Sequence, residues 1–236
     1  MTQPGRGLRA AAARALSWVD EGSTIGLGSG RASSAFILAL GARVADGLRV
    51  RAVPSSTASA DLARQLGIPL IALDDHTELA LTVDGADEVA PNLDLVKGRG
   101  GAHVRERILA AASRRQVILI GPEKQVARLG ETGPIPVEFI PFGEGLVARR
   151  LTALGARLTL RRDPAAGTPL VSENGNLIFD CTFDPPLADG RAARACEAAI
   201  RAIAGVVDTG LFLGTAHSVL VGHDDGSVDV LARQGA

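Results

Sequence analysis

The chain has 236 residues, a formal net charge of −1, and 46% hydrophobic against 22% charged side chains. At roughly 150 residues per domain, that makes one large domain or one and a half around a sizeable core, and it excludes a disordered chain. No basic excess is available to neutralise a phosphate backbone, and 3% aromatics without a single Tyr offer bases no stacking platform, so no nucleic-acid partner is expected.

The first twenty residues carry Arg6, Arg9 and Arg14 and read as an amphipathic helix, since no apolar core precedes a cleavage site. A strand is predicted over 24–27, a helix over 33–47, a strand over 48–54, and a helix over 56–67 that stops at Gly67. Strands follow at 69–73 and 79–84, then a long polar loop, a helix near 101–113 and a strand at 116–120. Continuously apolar strands alternating with helices predict a doubly wound, mainly parallel α/β sheet, Rossmann-like in its layers. The run 117–120, among the longest apolar runs, is far too short to cross a bilayer, so no membrane partner is expected.

The character changes near 131, where Pro134, Pro136 and Pro141 fall in eight positions. A helix (143–154), a strand (156–161), a hairpin centred on Glu173-Asn174-Gly175-Asn176 and a helix (189–203) predict a small α+β domain. The end returns to short strands with a turn at Asp224-Asp225-Gly226. The expected division is a catalytic α/β domain of 1–130 and 206–236 with a small domain of 131–205 inserted. Cys181 and Cys196 match no metal spacing and form no disulfide framework, which points to a reducing cytoplasm. His76, His103, His217 and His223 are scattered without ligand spacing and read as surface or loop residues.

Two stretches carry candidate chemistry. Gly26-Leu27-Gly28-Ser29-Gly30-Arg31-Ala32-Ser33 lies between the first strand and its helix. Arg31 stands where a dinucleotide fingerprint needs its third glycine, no acid ends the second strand, and no Gly-Lys-Ser/Thr follows. Either a small-anion cradle with a cation in it or a glycine-rich packing turn remains. The second stretch is Val83-Asp84-Gly85-Ala86-Asp87-Glu88, then Lys97-Gly98-Arg99-Gly100-Gly101, then Arg105-Glu106. Asp84 ends an apolar strand, where open α/β sheets place ligand groups. An acid pair, a lysine and a further carboxylate around glycine loops suit proton transfer beside a carbonyl: one carboxylate takes the proton, the ammonium steadies the oxyanion, another acid moves hydroxyl protons. Residue by residue, the same groups also read as a polar turn, a solvated lysine and a surface pair. A Mg²⁺ site of Asp84, Asp87, Glu88 and Asp94 is disfavoured because Lys97 and Arg99 compete for the carboxylates. Lys124, just past the strand 116–120, suits an anionic substrate.

The string VDGADEVAPNLDLVKGRGGAHVRERI (83–108) closely resembles the signature of type A ribose-5-phosphate isomerases. The resemblance extends through GLGSGRAS, GIPL, GPEKQVARLG, PIPVEFIPFG, VSENGNLIFD and GVVDTGLFLGTAHSVLVG, most of the chain. It implies interconversion of D-ribose 5-phosphate and D-ribulose 5-phosphate in the non-oxidative pentose phosphate pathway, through an enediolate, with no cofactor and no metal. It implies a small ferredoxin-like domain inserted before the last strands, and a homodimer or homotetramer. By position, Glu106 resembles the general base, Asp84 the acid/base group for ring opening and hydroxyl protons with Asp87 nearby, and Lys97 the lysine at the oxyanion. Ser29, Gly30, Arg31, Ala32, Gly85, Ala86, Gly98, Arg99, Gly100 and Lys124 match substrate-contact segments. Relatives often carry Gly-Thr-Gly-Ser-Thr where this chain has Gly28-Ser29-Gly30-Arg31-Ala32, so Arg31 or Arg99 is expected to add a contact to the 5-phosphate. A phosphosugar sensor without catalysis is the rival. Such a regulator carries a DNA-binding module and has no need for both Lys97 and Glu106. The isomerase reading requires the Glu106 carboxylate and the Lys97 ammonium to reach the same sugar carbons.

Overall fold

The computed structural model describes residues 4–74 and 77–233; His76 lies outside them. In chain order the helices and strands are α1 (Arg6–Leu16), β1 (Thr24–Leu27), α2 (Gly30–Ala45), β2 (Arg51–Pro54), α3 (Thr57–Gln65), β3 (Leu81–Gly85), β4 (Glu88–Val89), β5 (Leu95–Val96), α4 (His103–Ala111), β6 (Gln116–Ile120), β7 (Ile135–Phe139), α5 (Glu144–Ala153), β8 (Arg157–Leu160), β9 (Leu177–Thr182), α6 (Gly190–Arg201), β10 (Val206–Thr209), β11 (Leu211–Phe212), β12 (Ser218–Gly222) and β13 (Val228–Ala232). They form two compact units, one of residues 1–86, 105–124 and 215–236, the other of 87–104 and 125–214.

The first unit is built on a six-stranded sheet of order β13-β12-β6-β3-β1-β2, parallel throughout except for the antiparallel edge strand β13. Every residue of β1 and β6 is buried, which is why those strands read as nearly continuous apolar runs, each opened by one buried polar residue, Thr24 and Gln116. On one face Ile25, Leu27, Val83, Val117 and Leu119 pack with Ala11, Ala12 and Ala15 of α1 and Phe36, Ile37 and Leu40 of α2. Thr82, which period two turns away from Leu81 and Val83, meets the end of α4 instead: its Oγ1 donates to Leu109 O at 3.4 Å and lies 2.5 Å from Oγ of Ser113, just past the helix. Helix α3 ends as predicted, with Leu66 capping and Gly67 at φ +70°.

Three expectations give way. The run 69–73 is not a strand: it makes one parallel bridge, Leu70 to Ala52, beside the edge strand β2. Pro69 has no N–H to donate, and no residue of the run is fully buried, so it lacks the two-sided burial of the strands proper. The stretch after β3 is not a polar loop. It folds into β4 and β5, which join β11 in a three-stranded antiparallel sheet, with Val89, Leu93, Leu95 and Val96 buried. His103 is fully buried at the start of α4, not on the surface, whereas His217 and His223 are half-buried.

The second unit contains the ferredoxin-like α+β arrangement: β7-α5-β8-β9-α6-β10 with sheet order β10-β7-β9-β8, antiparallel at every pairing. The stretch 131–205 lies wholly inside this unit, which also takes in 87–104, 125–130 and 206–214. Hydrogen bonds explain the wider boundary. Glu88 of β4 accepts from Gly130 N and Thr132 N, each at 2.6 Å, and from Thr132 Oγ1 at 2.7 Å. The Asn-Gly turn is present, with Gly175 at φ +80° and Ser172 N donating to Asn176 O. Beneath it the buried Glu138 of β7 accepts from Ser172 Oγ, Asn174 Nδ2 and Asn176 Nδ2 at 2.8–3.1 Å. The core is Val137, Phe139, Val147, Leu151, Phe179 and Ile200. Cys181 and Cys196 are free thiols beside it; burial holds Cys181 well above the usual thiol range, and burial with Glu197 pushes Cys196 up to about 11. No helix of the described residues is long and apolar enough to cross a membrane.

Phe139 is fully buried and stacks on Phe179 with centroids 4.5 Å apart. Phe139→Ala is expected to destabilise the protein by about 3–5 kcal/mol in urea unfolding, and a loss below about 1 kcal/mol would show that the ring is not central to this core.

Candidate active site

In the first unit β6, β3 and β1 are adjacent and parallel, so their carboxyl ends fall along one edge of the sheet. That edge carries Gly28 to Ala32 after β1, Asp84 to Ala86 at the end of β3, and Lys124 after β6, closing the short 3₁₀ turn Pro122–Lys124. Ligand groups gather at this position in open α/β sheets.

Gly28 is dictated by crowding: a Cβ there would sit 2.1 Å from the Asp84 carboxyl. Asp84 is fully buried, and its Oδ1 accepts from Gly85 N at 2.7 Å, Ser33 Oγ at 3.0 Å and Ser29 N at 3.2 Å. Ser29 stands at the N-cap of α2 without capping it; its hydroxyl donates instead to Glu106 Oε1 at 2.5 Å. One residue therefore holds two carboxylates, Asp84 through its amide and Glu106 through its side chain. Glu106 is 4% exposed and sits in the first turn of α4, where the helix dipole favours a negative charge. Gly30 has φ +76°, Ala32 packs against Gly85, Arg31 is exposed, and Lys124 is half-buried. A buried, oriented carboxylate beside a second carboxylate can take up and return protons.

The second unit holds the rest of the motif. Lys97 is 3% exposed, its N–H bonds to Gly210 O at 2.9 Å, and its ammonium lies 5.5 Å from the centroid of the Phe212 ring. Gly98 follows at φ +104°, against His103. Asp87 Oδ2 accepts from Arg99 N at 2.9 Å, and the Arg99 guanidinium turns to Thr132 O at 3.1 Å, with Asp87 Oδ1 3.9 Å from its Nε. The acids considered for a cation each have their own donors. Glu88 is held as above, and Asp94 accepts from Asn92 Nδ2 at 2.7 Å and Gly214 N at 2.8 Å. Among the described residues no group of three or more His, Cys, Asp or Glu is arranged to hold a metal ion.

Sequence reasoning passed over Ser33 and Phe212. Ser33 gave a weak signal, a hydroxyl one turn into the helix after a glycine loop. Phe212 gave none, because it lies far along the chain from Lys97.

The sequence pattern of the family described as ribose 5-phosphate isomerase A (phosphoriboisomerase A) matches residues 51–226. Ribose-5-phosphate isomerase A of Roseiflexus castenholzii is 50% identical over 224 residues, 94% of each chain, and that of Gloeobacter violaceus 44% identical over 96% of each. Among solved structures, ribose 5-phosphate isomerase A from Methanocaldococcus jannaschii superposes with a TM-score of 0.89 at 36% identity, covering 96% of this chain and 98% of that one. A D-ribose-5-phosphate isomerase in complex with phospho-erythronic acid gives 0.90 at 33% identity, with 96% and 97% covered. With most of its length matched in both sequence and fold, the chain belongs to the ribose 5-phosphate isomerase A family.

Proposed function

We propose that this aldose–ketose isomerase moves a proton between C2 and C1 of an open-chain phosphopentose with Glu106 as the carrier. The C2 proton of ribose 5-phosphate is weakly acidic, so its removal requires a positioned base and stabilisation of the negative charge that develops on O1. Glu106 takes the proton, and Lys97 neutralises the oxyanion of the enediolate. Asp84, with Asp87, handles the hydroxyl protons of ring opening and of the enediol. Glu106 then returns its proton to C1, giving ribulose 5-phosphate with no net gain or loss of atoms. The observation that carries this reading is the burial of Glu106 under the Ser29 hydroxyl beside Asp84.

The phosphate is assigned to the opening of α2, at Ser29, Gly30, Arg31 and Ala32, with Lys124. A cation in the first turn opposes the helix dipole, so Arg31 has a local cost that an anion at the same place would offset. Gly85, Ala86, Gly98, Arg99 and Gly100 supply backbone around the sugar; the Arg99 side chain, already engaged by Thr132 and Asp87, leaves Arg31 as the phosphate cation of choice. The phospho-erythronic acid bound by a relative carries a phosphate and a planar carboxylate, the charge pattern of a phosphopentose enediolate. We assign the chain to the cytoplasm and to a homodimer or homotetramer, to be read from its mass in solution; exposed Ile140, Phe142 and Leu146 in one short stretch favour association.

Glu106→Gln keeps the shape of the side chain but cannot accept the proton, so kcat is expected to fall by about two orders of magnitude or more; near-normal turnover would refute the assignment. Ser29→Ala removes the bond that orients the base and is expected to lower kcat by about tenfold, with Ser29→Thr retaining activity; equal rates in all three proteins would exclude that role. Arg31→Ala is expected to raise KM for the phosphosugar with a smaller change in kcat, and an unchanged KM would remove Arg31 from the phosphate site.

A further inference from the structure

We propose that Arg161, braced by Asp180, is a positioning residue for the isomerisation: it fixes the glycine loop that follows Lys97. The inference rests on Lys97 acting at the oxyanion. Arg161 directly follows β8 and stays in sheet register, its N–H bonding to Ile178 O and its carbonyl accepting from Leu170 N, both at 2.9 Å. Its side chain is only 11% exposed. Nε donates to Asp180 Oδ2 at 3.0 Å and Nη2 to Asp180 Oδ1, a two-pronged pairing that sets the plane of the guanidinium. The remaining nitrogen, Nη1, turns to the loop and donates to Gly98 O at 2.7 Å and Arg99 O at 3.3 Å. The neighbouring Arg162 does something different, bonding Gly167 O in its own exposed turn.

The loop needs such a fastening. Gly98, Gly100 and Gly101 fall within four positions, with φ +104° at Gly98 and +78° at Gly101, and glycine has the most backbone freedom to lose on ordering. The Gly98–Arg99 peptide is pinned at both ends, its carbonyl by Arg161 and its amide by Asp87 at 2.9 Å, on opposite sides as a trans peptide requires. In the next peptide the Arg99 carbonyl faces Arg161, so the Gly100 N–H points the other way. Gly98 O also accepts from Gly101 N at 3.0 Å, which closes the turn. Holding these two peptide planes sets the direction in which the chain leaves Lys97. A partly buried ion pair is a weak source of stability, so its value here lies in geometry.

Arg161→Ala is expected to lower kcat about 10- to 100-fold, with KM for ribose 5-phosphate changed less than about threefold. Millimolar guanidinium is expected to restore part of the lost kcat, which a purely structural role would not allow. Asp180→Asn should lose activity in the same direction and to a smaller extent, at an unchanged melting temperature. In a Lys97→Met background Arg161→Ala should cost nothing further, because the loop no longer delivers an ammonium. The proposal is overturned by wild-type kcat in Arg161→Ala or Asp180→Asn, or by a loss that multiplies in full on top of Lys97→Met. If Arg161→Ala does not fold, Arg161→Lys takes its place, since a lysine cannot reproduce the fork, and wild-type kcat there overturns the proposal equally. Failure of the Lys97 assignment looks different: Lys97→Met alone then turns over at the wild-type rate.

Discussion

Position 28 has no room for a side chain because the Asp84 carboxyl already occupies that space. This exclusion is the constraint on which the first unit's site is built. It lets the ends of β1 and β3 approach closely enough for one carboxylate oxygen to collect two backbone amides and a serine hydroxyl. With Asp84 held there, the Ser29 amide is fixed, and the Ser29 hydroxyl is directed to Glu106 rather than to the end of its own helix. A single close contact between two strands thus orients the Glu106 carboxylate, carried by a helix that begins well after β3 in the chain.

The buried acids divide by what they hold. Glu88, Asp94 and Glu138 lie buried in the second unit and accept bonds from backbone amides and short polar side chains, so they shape turns. Asp84 and Glu106 are equally buried but accept from the residues of a glycine turn at a sheet edge, where a ligand can approach. Burial alone does not distinguish the two groups; the identity of the donors does.

Much of this was legible in the residues. The buried parallel strands stood out because two-sided burial forces nearly continuous apolar runs, and 24–27 and 116–120 match β1 and β6 residue for residue. A small α+β unit was signalled by its Asn-Gly turn and its helix spacing, and its ferredoxin-like arrangement by the family resemblance alone. The site string was legible as a string, since an acid at a strand end and a lysine before a glycine run have few structural uses in combination. What escaped were features decided by partners far along the chain. Strands β4 and β5 have two residues each, too few to show a period; they pair with each other, and β11 joins β5 from more than a hundred positions away. The run 69–73 carries strand-like composition, but only one residue finds a bridge. His103 sits in a polar stretch, and only the packing of Gly98 against its ring reveals that it is inside.

The chain passes between the two units four times, after Ala86, Val104, Lys124 and Gly214. Neither unit is therefore a contiguous module. Cutting out the ferredoxin-like region by its most obvious sequence borders would strand β4, β5 and β11 and sever Glu88 from the turn it holds. Such interleaving raises the sequence separation of native contacts and slows folding, and it makes the two halves inheritable only together. Gene fusion or domain exchange cannot easily trade one for another, which ties the glycine loop with Lys97 to the carboxylate on α4 as a single heritable piece.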